Sequence, residues 1–306
     1  MELSLKILEA IVETFGMFGI GALLRHFGWF QQEELGRLSR IVLDLLFPLL
    51  IFSSLVTQLD VSRMKEYWTL PLIGFGLMAA GGAAGYVLRY GMRKRNRGRW
   101  QTFMHFCAVN NYMFLPLIVI QNLWGNAYIP LLFILNVGST VALWTIGIVL
   151  LSGDRLNRKT LLYMFNPNII AVLLGLAVAM GHLPVPTLLV HISAGAGAAA
   201  LPMVLLLIGA ALYSSAKHLL AYKWDIAWLS LCRLAIIPLL TILLLKWLPL
   251  APEVYRVSFA VAIMPVSVSA SVLTFRYGGS TDFANQAAVI TTLASVVSMP
   301  LMFVLL

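Results

Sequence analysis

The chain has 306 residues, of which 60% are hydrophobic and 11% charged, and its mean hydropathy is +0.90. A soluble domain carries roughly 25% charged residues, so this composition excludes one and points to a protein that spans a membrane. The net charge of +9 raises nucleic acid as a partner. Short basic loops between apolar stretches mark cytoplasmic connections of membrane proteins instead, and no nucleic-acid partner is expected.

Windows of about 20 apolar residues, long enough to cross a hydrocarbon core, recur along the whole chain. Ten are read, near residues 5–24, 39–57, 67–88, 100–122, 127–151, 161–181, 186–213, 224–248, 254–275 and 283–305. The connections are too short to hold a soluble domain. The first span opens with Glu2, Glu9 and Glu13 against Lys6, where a cleaved signal would be basic, so it is read as retained. Glu9 and Glu13 share one helix face near its outer end, where they face water or, for Glu13, carry a charge or a proton.

The second span reads "LFPLLIFSSL", with Pro48 one turn after Asp44. The connection "RYGMRKRNRGRW" is the densest basic stretch. The fourth span, "HFCAVNNYMFLPLIVIQ", is apolar except for Asn110 and Asn111, and Pro116 interrupts it. The fifth holds Asn136, Ser139 and Thr140, which either line a pathway or join helices. After the linker at 153–160, "FNPNII" offers Asn166 as a cap and Pro167 at the first helical position.

The run "SAGAGAAALP" before Pro202 allows helices to approach closely. The eighth span carries Arg233, and the ninth reads "AVAIMPVSVSASVLTF", with Pro265, Ser267, Ser269 and Ser271. An ionisable group inside a span is a functional candidate. Arg233 is expected to meet Asp44, to attract an anionic substrate, or to pair with carbonyls as a structural ion. Cys107 and Cys232 lack metal or CxxC spacing, His105 and His191 lack partners, and no metal or cofactor is expected.

Connections after odd-numbered spans hold fifteen Lys and Arg, and the opposite side holds five. Basic residues collect in the cytoplasm, which places both termini outside. Ten spans divide into five plus five, and an odd number per half inverts the second half relative to the first. The expected domains are a first inverted repeat at 1–152, the short cytoplasmic linker at 153–160 and a second inverted repeat at 161–306.

The sequence echoes that division, with prolines in the second and seventh spans and in the fourth and ninth. Paired interruptions are the best sequence pointer to a transport site. Proline removes a backbone donor, and the freed polar groups are tolerated in a membrane only where protein or water satisfies them. Asn110, Asn111, Ser267, Ser269 and Ser271 would then make a polar, uncharged pocket at the broken helices. The alternative is that the asparagines join helices and the prolines are simple kinks.

The closing stretch "RYGGSTDFANQAAVITTLASVVSMPLMFVLL", with "NPNIIAVLLGL", "LPMVLLLIGAAL" and "FPLLIFSSL", resembles the auxin efflux carrier family. The resemblance implies an all-α polytopic membrane protein of ten transmembrane helices in two inverted five-helix repeats. Helices 4 and 9 would break and cross at Pro116 and Pro265, with a scaffold and a transport part around them. It implies a substrate site at Asn110 or Asn111. The family spaces that asparagine further from the proline, with small residues where "YMFL" stands here, so the contact residue stays open. The family's plant members carry a long loop between the halves, and this chain is similar to the short bacterial type.

The expected protein is therefore a secondary transporter, not an enzyme. It would reside in the inner membrane and move a small organic anion, auxin-like or another carboxylate, by alternating access. The expected partners are that anion, the lipid bilayer and, since related folds pair through a scaffold helix, a second copy in a homodimer. A proton- or sodium-coupled symporter of another metabolite, or a non-transporting sensor, is the alternative. The expected site is Asn110, Asn111, Pro116, Pro265, Ser267, Ser269, Ser271 and Asn136, with Asp44, Arg233 and Glu13 as candidates for a charge or proton role.

Overall fold

A computed structural model describes residues 2–93, 96–153, 162–215, 222–268 and 270–306. Among them the regular structure is helical apart from one isolated bridge. The helices are α1 (Glu2–His26), α2 (Gln32–Gln58), α3 (Val61–Gly91), α4 (Arg97–Ala108), α5 (Phe114–Trp124) and α6 (Asn126–Ser152). After the linker come α7 (Pro167–Met180), α8 (Thr187–Ser215), α9 (Lys223–Lys246), α10 (Pro252–Ala262), α11 (Ala270–Tyr277) and α12 (Thr281–Phe303). In α2, α3, α6, α8, α9 and α12 the length and apolarity suffice to cross a membrane. The protein is an all-helical, polytopic membrane protein, because helices satisfy their own backbone groups where no water can.

The start of the sixth apolar window differs from the expected 161. The helix begins at Pro167, where the Asn166 side chain accepts a hydrogen bond from the Ile169 amide at 3.1 Å. The linker beyond Gly153, including Arg155, Arg158 and Lys159, lies outside the described residues.

Three long helices contain one wide turn with π-type hydrogen bonding, each with a local cause. Val42–Leu46 precedes Pro48 and Cys232–Ile236 precedes Pro238, and proline leaves the carbonyl one turn earlier without its donor. At Leu143–Gly147 in α6 there is no proline. There Thr145 Oγ1 donates back to the Val141 carbonyl at 2.7 Å, a bond that competes with the helix ladder.

The helices pack as two bundles. In the first, α1 lies along α8, and α2 lies against α7 and α8. In the second, α3 lies along α6 and α4, and α5 and α9 to α12 complete it. The closest pairs touch backbone to backbone: a Cβ built on Gly209 would fall 2.1 Å from the Phe18 carbonyl oxygen, and one on Gly138 would fall 1.7 Å from that of Pro71. Small residues permit that approach in a membrane.

The core is divided unevenly. One apolar cluster joins Phe18, Phe47, Leu55 and Leu205 of the first bundle to Leu115, Leu132, Phe259 and Phe303 of the second. A second cluster, around Phe103, Cys107, Ile226, Cys232 and Phe283, is built wholly from the second bundle. This second core lies toward the basic segment at 89–99. That segment is strapped to the start of α9: Asp225 accepts from the Arg93 amide at 2.8 Å and from Arg99 Nη1 at 3.0 Å, and Trp228 Nε1 donates to the Leu88 carbonyl at 2.8 Å.

Candidate functional site at the broken helices

The fourth span does break. Helix α4 ends at Ala108 and α5 starts at Phe114, with Asn110 and Asn111 between them. Pro116 sits in the first turn of α5, where no intrahelical amide partner is required, so the break precedes the proline. In the ninth span α10 ends at Ala262 and α11 starts at Ala270, and Pro265 lies in the gap itself. The two interruptions meet. Asn110 and Val266 form an antiparallel bridge, and the Asn111 amide donates to the Pro265 carbonyl at 2.8 Å.

The asparagines serve this crossing directly. The Asn110 side-chain amide donates to the Val261 carbonyl in the last turns of α10. Asn111 Oδ1 accepts from the amides of Phe114 and Leu115 at 3.2 and 3.4 Å, which caps α5. Both asparagines are buried, and so is Ser267. Ser269 lies outside the described residues, as does the side chain of Ser271 on the first turn of α11.

Arg233 closes the crossing from α9. It is buried in the wide turn, and its guanidinium donates to three carbonyls: Met264 at 3.0 Å, Cys107 at 3.0 Å and Ala262 at 2.9 Å. Cys107 and Ala262 lie at the C-terminal ends of α4 and α10, where orphan carbonyls carry partial negative charge. One cation thus ties together both helix ends that stop at the crossing.

The helices that start there are not matched in the same way. Neither α5 nor α11 has an acidic residue in its first turn. Among the described residues Asp225 is the one buried carboxylate, and it is bound to Arg99 at the basic end. Asp44 is exposed and does not meet Arg233, whose donors face carbonyls instead. Glu9 and Glu13 are exposed too, and Glu13 accepts from Asn122 Nδ2 at 2.9 Å. Among the described residues the crossing holds no buried carboxylate.

The fifth span supplies the remaining polar groups. Thr140 on α6 hydrogen-bonds with the Tyr112 side chain in the first break. Asn136, one turn earlier on the same face, is 6% exposed, and neither its Oδ1 nor its Nδ2 has a protein partner. Ser139 Oγ is also buried and unpartnered, as is Asn168 Oδ1 on α7. Buried polar atoms are nearly always paired, so Asn136, with both side-chain atoms free on the face of α6 that carries Thr140, marks where a ligand or water makes up the difference; Ser139 Oγ instead lies against Gly74 of α3. His105 is buried on α4, with Nδ1 bonded to the Gly147 carbonyl at 2.7 Å and Nε2 without a protein partner. A mostly apolar groove of 440 Å³ between α3 and α9 is lined by Leu72, Leu77, Leu244 and Leu245, with Thr69 and Thr241, and by none of these groups.

Sequence reasoning missed Tyr112 as a partner; for Arg233 it offered carbonyl pairing beside Asp44 and an anionic substrate, and the carbonyls are what Arg233 binds, although which ones was not legible. The carbonyls of Cys107 and Met264 look like any others in a sequence. Only Arg233's position inside a span signalled that something must satisfy it.

A family described as membrane transport protein matches residues 6–162 and 155–303, nearly the whole chain. The chain belongs to this auxin efflux carrier-like family of membrane transport proteins. It is also similar to a protein of Methanothermobacter thermautotrophicus described as an uncharacterized transporter, 26% identical over 306 residues, covering 97% of this chain and 98% of the relative. Membership makes the molecule an integral membrane transport protein. The closing motif from Arg276 to Leu306 and the stretch opening at Asn166, which carried the resemblance, both lie within or beside the matched residues.

Proposed function

We propose that the protein is a secondary transporter of small organic anions, working by alternating access around the crossing of α4–α5 with α10–α11. On this reading the ten spans form two inverted repeats in the inner membrane, with both termini outside. The substrate carboxylate binds beside the starts of α5 and α11, held by Asn136, with Asn110, Asn111 and Ser267 shaping the wall.

The observation that carries the reading is the charge balance. Arg233 is taken up by the carbonyls of the two helices that stop at the crossing, which leaves the N-termini of the two that start there, with no carboxylate among the described residues of their first turns. Such a site favours an anion and gives a coupling cation no carboxylate ligand. It therefore supports uniport over symport.

Currents on a solid-supported membrane test this, using proteoliposomes challenged with malate, indole-3-acetate and neutral indole-3-acetamide. A saturable current with a carboxylate, absent with the amide and lost in an Asn136→Leu variant of unchanged melting temperature, is the expected result. No current with either carboxylate from folded protein would overturn the substrate class.

A further inference from the structure

In the half of the molecule away from the basic segment the two bundles share a core, and α5 packs along α1. Glu13 and Asn122 clip the two helices together there. On the proposed repeat relation, the counterparts of α5 and α1 are α11 and α7. Among the described residues no packing of comparable extent joins that pair, and the core cluster at the basic end includes none from the first bundle. The two halves thus hold equivalent helix pairs in different states.

The face of α11 that looks toward α7 can be identified. Arg276 Nη2 donates to the Tyr163 hydroxyl in the lead-in to α7, and its guanidinium lies 4.6 Å from the Tyr163 ring centre. Trp144 of α6 stacks on the same ring at 5.2 Å. Val272 is one turn before Arg276 on that face, yet it is 70% exposed, and neighbouring Phe275 is 84% exposed. The opposite face, Ala270 and Thr274, is buried. Contact between α11 and the α7 side therefore exists at the rim and stops one turn inside it.

We infer that this structure is the inward-facing state, with a water-filled crevice between α11 and α7 open to the basic side, and that Val272 and Phe275 are the gate surface that closes onto α7 when the site turns outward. Tyr163, held between Trp144 and Arg276, is the contact about which that closure begins. The second state, the repeat relation and the naming of the basic side as the inside rest on the transport reading above; the exposure of Val272 and Phe275 does not.

The experiment joins Glu13→Cys and Asn122→Cys with a short, reducible bifunctional methanethiosulfonate, holding the far side shut. Either Val272→Cys or Phe275→Cys is the reporter for a charged methanethiosulfonate added from one side at a time. Protein carrying only the buried Cys107 and Cys232 gives the background. A thiol reacts as the thiolate, which needs water, so a lipid-facing cysteine stays silent.

The expected result is fast labelling from the basic side only. The rate in cross-linked protein should be about twice that of uncross-linked protein dividing its time evenly between two states. Cross-linking should also abolish the carboxylate current, and reduction should restore it. Silence of both reporters in cross-linked protein, or labelling from the far side, would overturn the inference. The expected labelling with no current under any condition would leave the crevice standing and overturn the transport reading on which the gate depends.

Discussion

Arg233 and Asn136 are both buried polar residues beside the crossing, and their circumstances predict opposite outcomes on mutation. Arg233 has three carbonyl partners, and hydrogen bonds to a charged group contribute about 1.5–3 kcal/mol each. Arg233→Gln reaches at most one of the three, so we expect it to lower stability by about 3 kcal/mol or more, read as a large fall in melting temperature of detergent-purified protein. A wild-type melt would show that the carbonyls are satisfied some other way. Asn136 has no partner for either side-chain atom, a situation that costs about 1–3 kcal/mol for a buried group. Asn136→Leu should therefore melt at or above the wild-type temperature while losing carboxylate current. A clear fall in melting temperature would mean that Asn136 holds the fold and not a substrate. Asn111→Ala removes the cap on α5 and should cost about 1 kcal/mol, which makes it a poorer probe of binding than Asn136.

At the scale of helices, glycines separate packing from propensity. Gly→Ala inside a helix gains about 1 kcal/mol when the methyl has room. Gly16 on α1 has open space around it, whereas a methyl at Gly138 on α6 would fall 1.7 Å from the Pro71 backbone oxygen on α3. Gly16→Ala should be neutral or stabilising, and Gly138→Ala should force α3 from α6. Size-exclusion profiles and melts of the two variants check this, and a monodisperse, wild-type-like Gly138→Ala would disprove the close contact. Local rules made several such elements readable in the sequence. Asn166 and Pro167 fixed the start of α7 because a cap and a first-turn proline act within one turn. Asn110 and Asn111 announced a break because polar residues in an apolar window need a partner. The position of the break relative to Pro116 was not legible, since a proline fits equally after a break or within a kink. Nor were the wide turns in α2, α6 and α9, which need both a local trigger and neighbours that accommodate the extra residue.

At the scale of the whole molecule the basic bias became geometry. Among the described residues Arg93 and Arg99 bind Asp225 at the start of α9, and Lys246 lies at the other end of that helix. Two exposed tryptophans mark these ends: Trp29, 74% exposed between α1 and α2, and Trp247, 87% exposed after α9. Exposed tryptophans at helix ends are typical of the membrane–water boundary, and neither is part of a described core, so cysteine at either position should leave the fold intact. Cytoplasmic connections collect Lys and Arg, so Trp247→Cys should react with an impermeant maleimide in intact cells and Trp29→Cys only after permeabilisation. The reverse pattern would invert the molecule. It would also turn the crevice beside α11 outward, because that crevice is fixed to the basic end by Tyr163 and Arg276 whichever way the chain lies in the membrane.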